Sequence, residues 1–167
     1  AAFVGGAGLG LLIFGELGAR FDQRKLLVGS LALYAILSGL AALVPSLEAL
    51  VALRFFQGAA GSAAAVFAPG FIRALFDQKR AVRAIGLLGS IESLVPALAP
   101  IAGAWLLALF GWQSSFVLIA ILAAILTVAL LALRKNLPEI APQPKQVGYF
   151  GLMSNPVYLR YALSQAF

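Results

Sequence analysis

The stretch Arg54-Phe-Phe-Gln57-Gly58-Ala-Ala-Gly61-Ser62 decides the fold of this chain. It lies inside the apolar run 47–72, which is long enough to cross a bilayer. A guanidinium there costs about 2.5–3.5 kcal/mol on insertion scales and usually faces a bundle interior or a water-filled cavity. Arg54, Gly58 and Gly61 share one helical face, where the glycines admit a close neighbouring helix and Gln57 can hydrogen-bond across the gap. The alternative is a packing seam with a structural Arg54 that snorkels to the nearer surface.

The composition is that of a membrane protein. Hydrophobic residues make up 62% of the chain and charged residues 11%, and the mean hydropathy is +1.00. Soluble domains have about 45–50% apolar and 25% charged residues. The net charge of +6 does not predict nucleic acid binding, because the basic residues lie in short loops between spans. The chain has no cysteine and no histidine, so we expect no disulfide, no metal site and no catalytic residue.

Hydropathy predicts five spans at residues 1–18, 26–44, 47–72, 85–110 and 115–133. Eleven of the twelve basic residues lie in 19–25, in 73–83 and after residue 133, whereas 45–48 and 110–115 have none. The positive-inside rule therefore places the basic connections on the cytoplasmic side, and Arg54 is the twelfth basic residue. Because Ala1 already lies in an apolar stretch with no basic segment ahead of it, we expect an internal fragment rather than a signal peptide.

The fourth of these spans, 85–110, carries an acid and two prolines. Pro96 and Pro100 are four residues apart, so they share a face, and each frees a backbone carbonyl. Glu92 lies four residues before Pro96, about two turns inside the span. An acid at that depth should face polar surroundings or be protonated. The alternative is that Glu92 reaches back to Arg83 or Arg80 at the cytoplasmic mouth.

These residues carry a resemblance to a known family. Arg54-x-x-Gln57-Gly58-x-x-Gly61 resembles the fourth-helix motif of the major facilitator superfamily, in its proton-coupled drug-efflux branch. The stretch 99–103 resembles the Gly-Pro-x-x-Gly signature of helix five in the family's antiporters; Pro100 and Gly103 match, and Ala99 replaces the leading glycine. The longer stretch 94–103 is similar to drug exporters of the bicyclomycin/chloramphenicol-resistance type.

The first basic turn resembles the family's loop between helices two and three, Gly-x-x-x-Asp-Arg-x-Gly-Arg-Arg/Lys. The matching residues are Gly15, Arg20 and Arg24. The usual aspartate is Ala19, the usual second glycine is Asp22, and Gln23 replaces a basic residue. In the family this aspartate latches one conformation through basic residues and a helix end in the other half. Here either Asp22 or Glu16 substitutes, or the latch is weak; the alternative is an ordinary positive loop.

The resemblance implies an all-α membrane protein, part of a twelve-helix bundle. Residues 1–135 would form helices two to six of the amino-terminal half, 136–156 a cytoplasmic linker and 157–167 the start of helix seven. The implied activity is proton-coupled export of drugs or small metabolites by alternating access, in the bacterial cytoplasmic membrane. Coupling would involve Arg54, Gln57 and Glu92, together with an acid of helix one. We expect a small-molecule substrate, protons and the lipid bilayer as partners, no cofactor beyond the proton gradient, and a monomer.

Two other functions fit part of the pattern. An uptake symporter of the same fold shares most of these features, although the helix-five signature favours export. A non-transporting scaffold or receptor explains the spans but gives no reason to bury Arg54, Gln57 and Glu92. An ATP-driven pump is not expected, because the chain has no Gly-x-x-x-x-Gly-Lys-Ser/Thr loop.

Overall fold

The computed structural model describes residues 1–133 together with Pro138 and Ile140. Its helices are α1 (Ala2–Arg20), α2 (Gln23–Leu43), α3 (Leu47–Leu75), α4 (Gln78–Phe110) and α5 (Gln113–Leu133). All five are long and apolar enough to cross a membrane, and the described residues form no strand. The predicted all-α membrane fold is therefore confirmed. The predicted linker 136–156, apart from two residues, and the start of helix seven lie outside the described residues.

The two basic connections are much shorter than the sequence predicts. The segments 19–25 and 73–83 were expected to be loops, but only Phe21–Asp22 and Phe76–Asp77 interrupt the helices. Each aspartate is an N-cap: Asp22 accepts a hydrogen bond from the Arg24 backbone N–H at 2.9 Å, and Asp77 accepts one from the Arg80 N–H at 2.8 Å. Because these caps satisfy otherwise free N–H groups, the next helix begins at once. Both breaks share the local sequence Phe-Asp-Gln followed by two basic residues.

The α2–α3 and α4–α5 connections, at the opposite end of the bundle, form for other reasons. α2 ends before Pro45, and the Ser46 hydroxyl caps α3 by accepting a hydrogen bond from the Ala49 N–H at 3.3 Å. Gly111 ends α4 with a φ of +81°, which favours glycine. Prolines inside the spans do not end helices: α3 continues through Pro69, which the sequence suggested would loosen its inner end, and α4 continues through both of its prolines.

α1 packs along α3 at backbone distance. A Cβ on Gly6 would collide with the carbonyl oxygen of Phe55, and a Cβ on Gly58 would collide with the carbonyl oxygen of Phe3. Gly10 meets α3 in the same way. Small residues at i and i+4 allow this approach, and the resulting van der Waals contact drives helix association in lipid. The glycines of both helices therefore hold α1 and α3 together.

Other contacts place α3 at the centre of the described bundle. Towards the Phe76–Asp77 break, Ala63, Phe67 and Phe71 form a buried cluster, and Phe14 meets Phe67 edge-on with ring centroids 6.0 Å apart. α2 packs against both α3 and α5. α4 is the most exposed helix, and Ala81 is its one buried residue. The chain thus gives α3 close neighbours on several sides and leaves α4 largely open.

Gly58→Ala in the full-length protein should lower the stability by about 1–3 kcal/mol, because a methyl group has no room against the α1 backbone. The measurement is thermal unfolding of the purified protein in detergent. Gly8→Ala is the matched control: a Cβ there meets nothing within 4 Å, so the variant should be at least as stable as the parent. Equal stability of the two variants would contradict the close α1–α3 packing.

Candidate functional site

Arg54 lies about two turns inside α3 and is partly buried. Its guanidinium carbon is 4.3 Å from the ring centroid of Phe116 in α5, well within the range of a cation–π contact. Phe116 is 6% exposed, and Trp112 meets its ring at 89° with centroids 5.9 Å apart. Phe116 was not among the residues predicted for the site. The sequence feature that could have pointed to Phe116 is its position one turn after Trp112, at the same end of the bundle as Arg54.

Arg54 makes no ion pair with a carboxylate in the part of the chain that the structure describes. Tyr34 of α2 lies within electrostatic range of its charge. The described protein therefore places the ring of Phe116, rather than an anion, against this cation. A guanidinium in this position can bind an incoming negative charge without first breaking an ion pair.

Gln57 joins α3 to α2 through a buried hydrogen bond. Its side chain is fully buried, and Nε2 donates to the hydroxyl of Ser38 at 2.7 Å. The Ser38 hydroxyl itself donates to the Tyr34 carbonyl oxygen at 2.7 Å, so towards Gln57 it acts as the acceptor. This fixes the amide orientation and leaves Oε1 of Gln57 without a hydrogen-bond partner among the described residues. The site thus contains a buried acceptor that a donor could satisfy.

The predicted face of Arg54, Gly58 and Gly61 is divided among three neighbours. Gly58 packs on α1, Arg54 points to α5, and a Cβ on Gly61 would lie 3.2 Å from the Tyr34 ring of α2. The residue spacing instead predicts a single neighbouring helix close to this face. The division arises because residues at i, i+4 and i+7 differ by some tens of degrees around the helix, enough to reach different partners in a crowded bundle.

The predicted residues of α4 are not brought to Arg54. Glu92, Pro96 and Pro100 are exposed, and Gly103 is partly buried. Glu92 makes no hydrogen bond or ion pair with any described residue. The expected alternative contacts with Arg80 and Arg83 are not observed either, since Arg80 pairs with Asp77 at 3.6 Å. The face of α4 that carries Glu92 and the two prolines is exposed in the described part of the chain.

The acids of the first basic turn have partners within the same turn. Glu16 pairs with Arg20, whose Nε lies 3.0 Å from the carboxylate, and both side chains are exposed, as is Gly15. Asp22 lies 3.4 Å from the Arg24 Nε. Partial burial raises the pKa of Asp22, but the backbone N–H and guanidinium of Arg24 and the charge of Lys25 outweigh it, so the pKa lies below its usual range. Asp22 is therefore an ionised helix cap.

A groove of about 580 Å³ lies at the other end of α3, far from Arg54. Its lining residues are Arg73, Phe76, Gln78, Ala81, Val82 and Ile85. None of the residues predicted for proton coupling contributes to it. The groove therefore does not define the candidate site, which we place around Arg54, Gln57 and Phe116.

Comparison with known proteins identifies the family. The Major Facilitator Superfamily matches the chain over residues 1–167. The chain is 31% identical over 136 residues to the chloramphenicol resistance protein CraA of Acinetobacter baumannii, covering 81% of this chain and 32% of that protein. It is 28% identical over 139 residues to the multidrug resistance protein MdtL of Escherichia coli O157:H7, covering 83% and 36%. It spans about a third of the length of these relatives. The chain belongs to the major facilitator superfamily and is a multi-pass inner-membrane protein.

Proposed function

We propose that this chain is part of a secondary transporter that exports drugs or small metabolites in exchange for protons, by alternating access. The observation that carries the proposal is Arg54, a partly buried cation inside a membrane-spanning helix that has no carboxylate partner among the described residues. Both named relatives are resistance proteins, which supports drugs as the substrate class and export as the direction. Membership of a transporter family argues against a passive scaffold.

The guanidinium acts through an acid that it can bind. Arginine stays protonated at physiological pH, so Arg54 cannot itself carry the coupling proton. It binds the ionised form of a carboxylic acid more tightly than the protonated form. If the acid approaches Arg54 in only one of the inward and outward states, protonation changes the balance between them. The proton gradient can then drive the export of the substrate.

The contacts of α3 support this role for Arg54. On one side Gly58 holds the helix against the α1 backbone, and on another Gln57 hydrogen-bonds to Ser38 of α2. Arg54 thus lies on a helix whose position is fixed by backbone packing and by a buried hydrogen bond. A group that must meet an acid in one state and leave it in the other needs such a support.

The remaining parts of the proposal follow from this mechanism. The energy source is the proton gradient, so no cofactor is required. We further propose, from the family resemblance alone, that the full-length protein is a monomer. The acid comes from a segment outside this chain or is Glu92. Glu92 lies on the open face of α4, where it is accessible to other parts of a longer protein.

Arg54→Ala should abolish efflux driven by a pH gradient in proteoliposomes, because the acid loses its cationic partner. Arg54→Lys should restore it only in part, since an ammonium lacks the planar fork that binds a carboxylate through two hydrogen bonds. Arg73→Ala is the matched control, because it removes an arginine from the exposed end of the same helix and should leave efflux largely intact. Full gradient-driven efflux by Arg54→Ala would overturn the proposed function and leave Arg54 a structural, snorkelling residue.

Glu92→Gln tests which acid is coupled. If Glu92 carries the proton, the variant should lose the pH dependence of efflux, because a neutral amide cannot titrate over this range. Glu48→Gln is the control, as it removes an exposed acid from the first turn of α3. An unchanged pH dependence in Glu92→Gln would assign the coupling to an acid outside this chain.

A further inference from the structure

We propose that Phe116 is a positioning residue for Arg54: its ring holds the guanidinium while no carboxylate does, and releases it when an acid ionises. The consequence for transport rests on the proposed function. The contact itself rests on the geometry, because the guanidinium carbon lies 4.3 Å from the ring centroid, inside the limit of about 6 Å for cation–π attraction. Phe116 therefore fixes the position of the Arg54 guanidinium through a cation–π contact.

The ring is held in place by its own neighbours. Phe116 is 6% exposed, and the edge-to-face contact with Trp112 restricts its orientation. Trp112 follows Gly111, whose positive φ ends α4 and turns the chain into α5. α5, Gln113–Leu133, contains no ionisable side chain. This helix therefore offers the cation no formal negative charge, and the group that contacts Arg54 is the face of Phe116.

Among the charged and titratable groups of the described residues, none binds the Arg54 guanidinium in competition with Phe116. From α2, Tyr34 lies within electrostatic range. The acid and base of α1, Glu16 and Arg20, pair with each other near the far end of that helix. On α4, Glu92 has no contact with Arg54, and on α3 itself Glu48 is an exposed residue of the first turn. No carboxylate of these helices holds the guanidinium in place of Phe116.

An aromatic ring is a suitable partner for Arg54 because the guanidinium must leave it when an ionised acid approaches. A desolvated guanidinium with no compensation is costly, and the negative face of the ring reduces that cost without a formal charge. A carboxylate in the same position would bind more strongly and would oppose the arrival of the coupled acid. The ring instead gives up the cation when an ionised acid approaches. Phe116 thereby stabilises the state in which the acid is protonated and Arg54 is unpaired.

The test compares two phenylalanines in the full-length protein. Phe116→Leu removes the ring but keeps an apolar side chain, and should move the midpoint of the pH dependence of efflux to lower pH by about 0.5 unit, the size expected for a weak cation–π contact. The shift is acidic because the protonated-acid state loses its stabilisation. Phe116→Tyr retains the ring and should restore the parental midpoint. Phe67→Leu is the control, since it removes a buried ring that packs on Phe14 and is not placed at the site.

A double-mutant cycle measures the contact without transport. Phe116→Leu should change the equilibrium constant of unfolding about two- to fivefold more when Arg54 is present than in an Arg54→Met background. No coupling in this cycle would overturn the inference, as would a parental pH midpoint in Phe116→Leu or a shift of equal size in Phe67→Leu. Full efflux by Arg54→Ala is a different result: it overturns the proposed function, whereas coupling in the cycle would still establish the contact.

Discussion

The need to compensate a guanidinium inside a membrane-spanning helix is the constraint on which the site depends. Arg54 cannot lose its charge, so its surroundings have to reduce the cost of keeping it there. In the described chain they do so with the face of Phe116. That solution requires α5 to pack on α2, at a distance from α3 that the long Arg54 side chain can span. α3 in turn is fixed to α1 by glycine contacts and to α2 by the Gln57–Ser38 hydrogen bond. The contact that compensates the buried cation thus depends on how the helices of the bundle pack.

Much of the fold could be predicted from the sequence, because long apolar runs and basic connections are local features. The five spans, the glycine-mediated approach to α3 and the polar role of Gln57 in helix packing all follow from residue type and spacing. The lengths of the basic connections could not be predicted from charge alone. A run of basic residues is compatible with either a loop or the exposed first turns of a helix, and the aspartate caps decide between them.

The partner of Arg54 is the main feature that sequence reasoning missed. Arg54 and Phe116 are far apart in the chain, and no periodicity links them. Their contact depends on how α3 and α5 both pack against α2, which is a tertiary property. The sharing of the Arg54, Gly58 and Gly61 face among three helices was missed for the same reason. For Glu92 the sequence indicates an unusual residue by its depth in the span, but not its surroundings: no described residue is its partner.

The first basic turn shows how a degenerate motif can keep a structural role. The resemblance aligns Asp22 with the second glycine of the loop motif, and its carboxylate caps α2 and pairs with Arg24. Glu16 is similarly engaged with Arg20. Both candidate replacements for the missing aspartate therefore have local partners that a latch would have to compete with. We propose that any latch formed by this turn is weaker than one built on an aspartate at position 19.

The central claim is that Arg54 holds the ionised form of the acid that exchanges a proton for the substrate, so that the acid loses its proton on substrate binding only when this cation is present. The most direct measurement is proton release when a drug that the full-length protein exports is added to that purified protein in weakly buffered detergent solution. The account predicts that the parent protein releases protons on binding and that the Arg54→Ala variant, at drug concentrations where it still binds, releases none. Equal proton release by both proteins would contradict it.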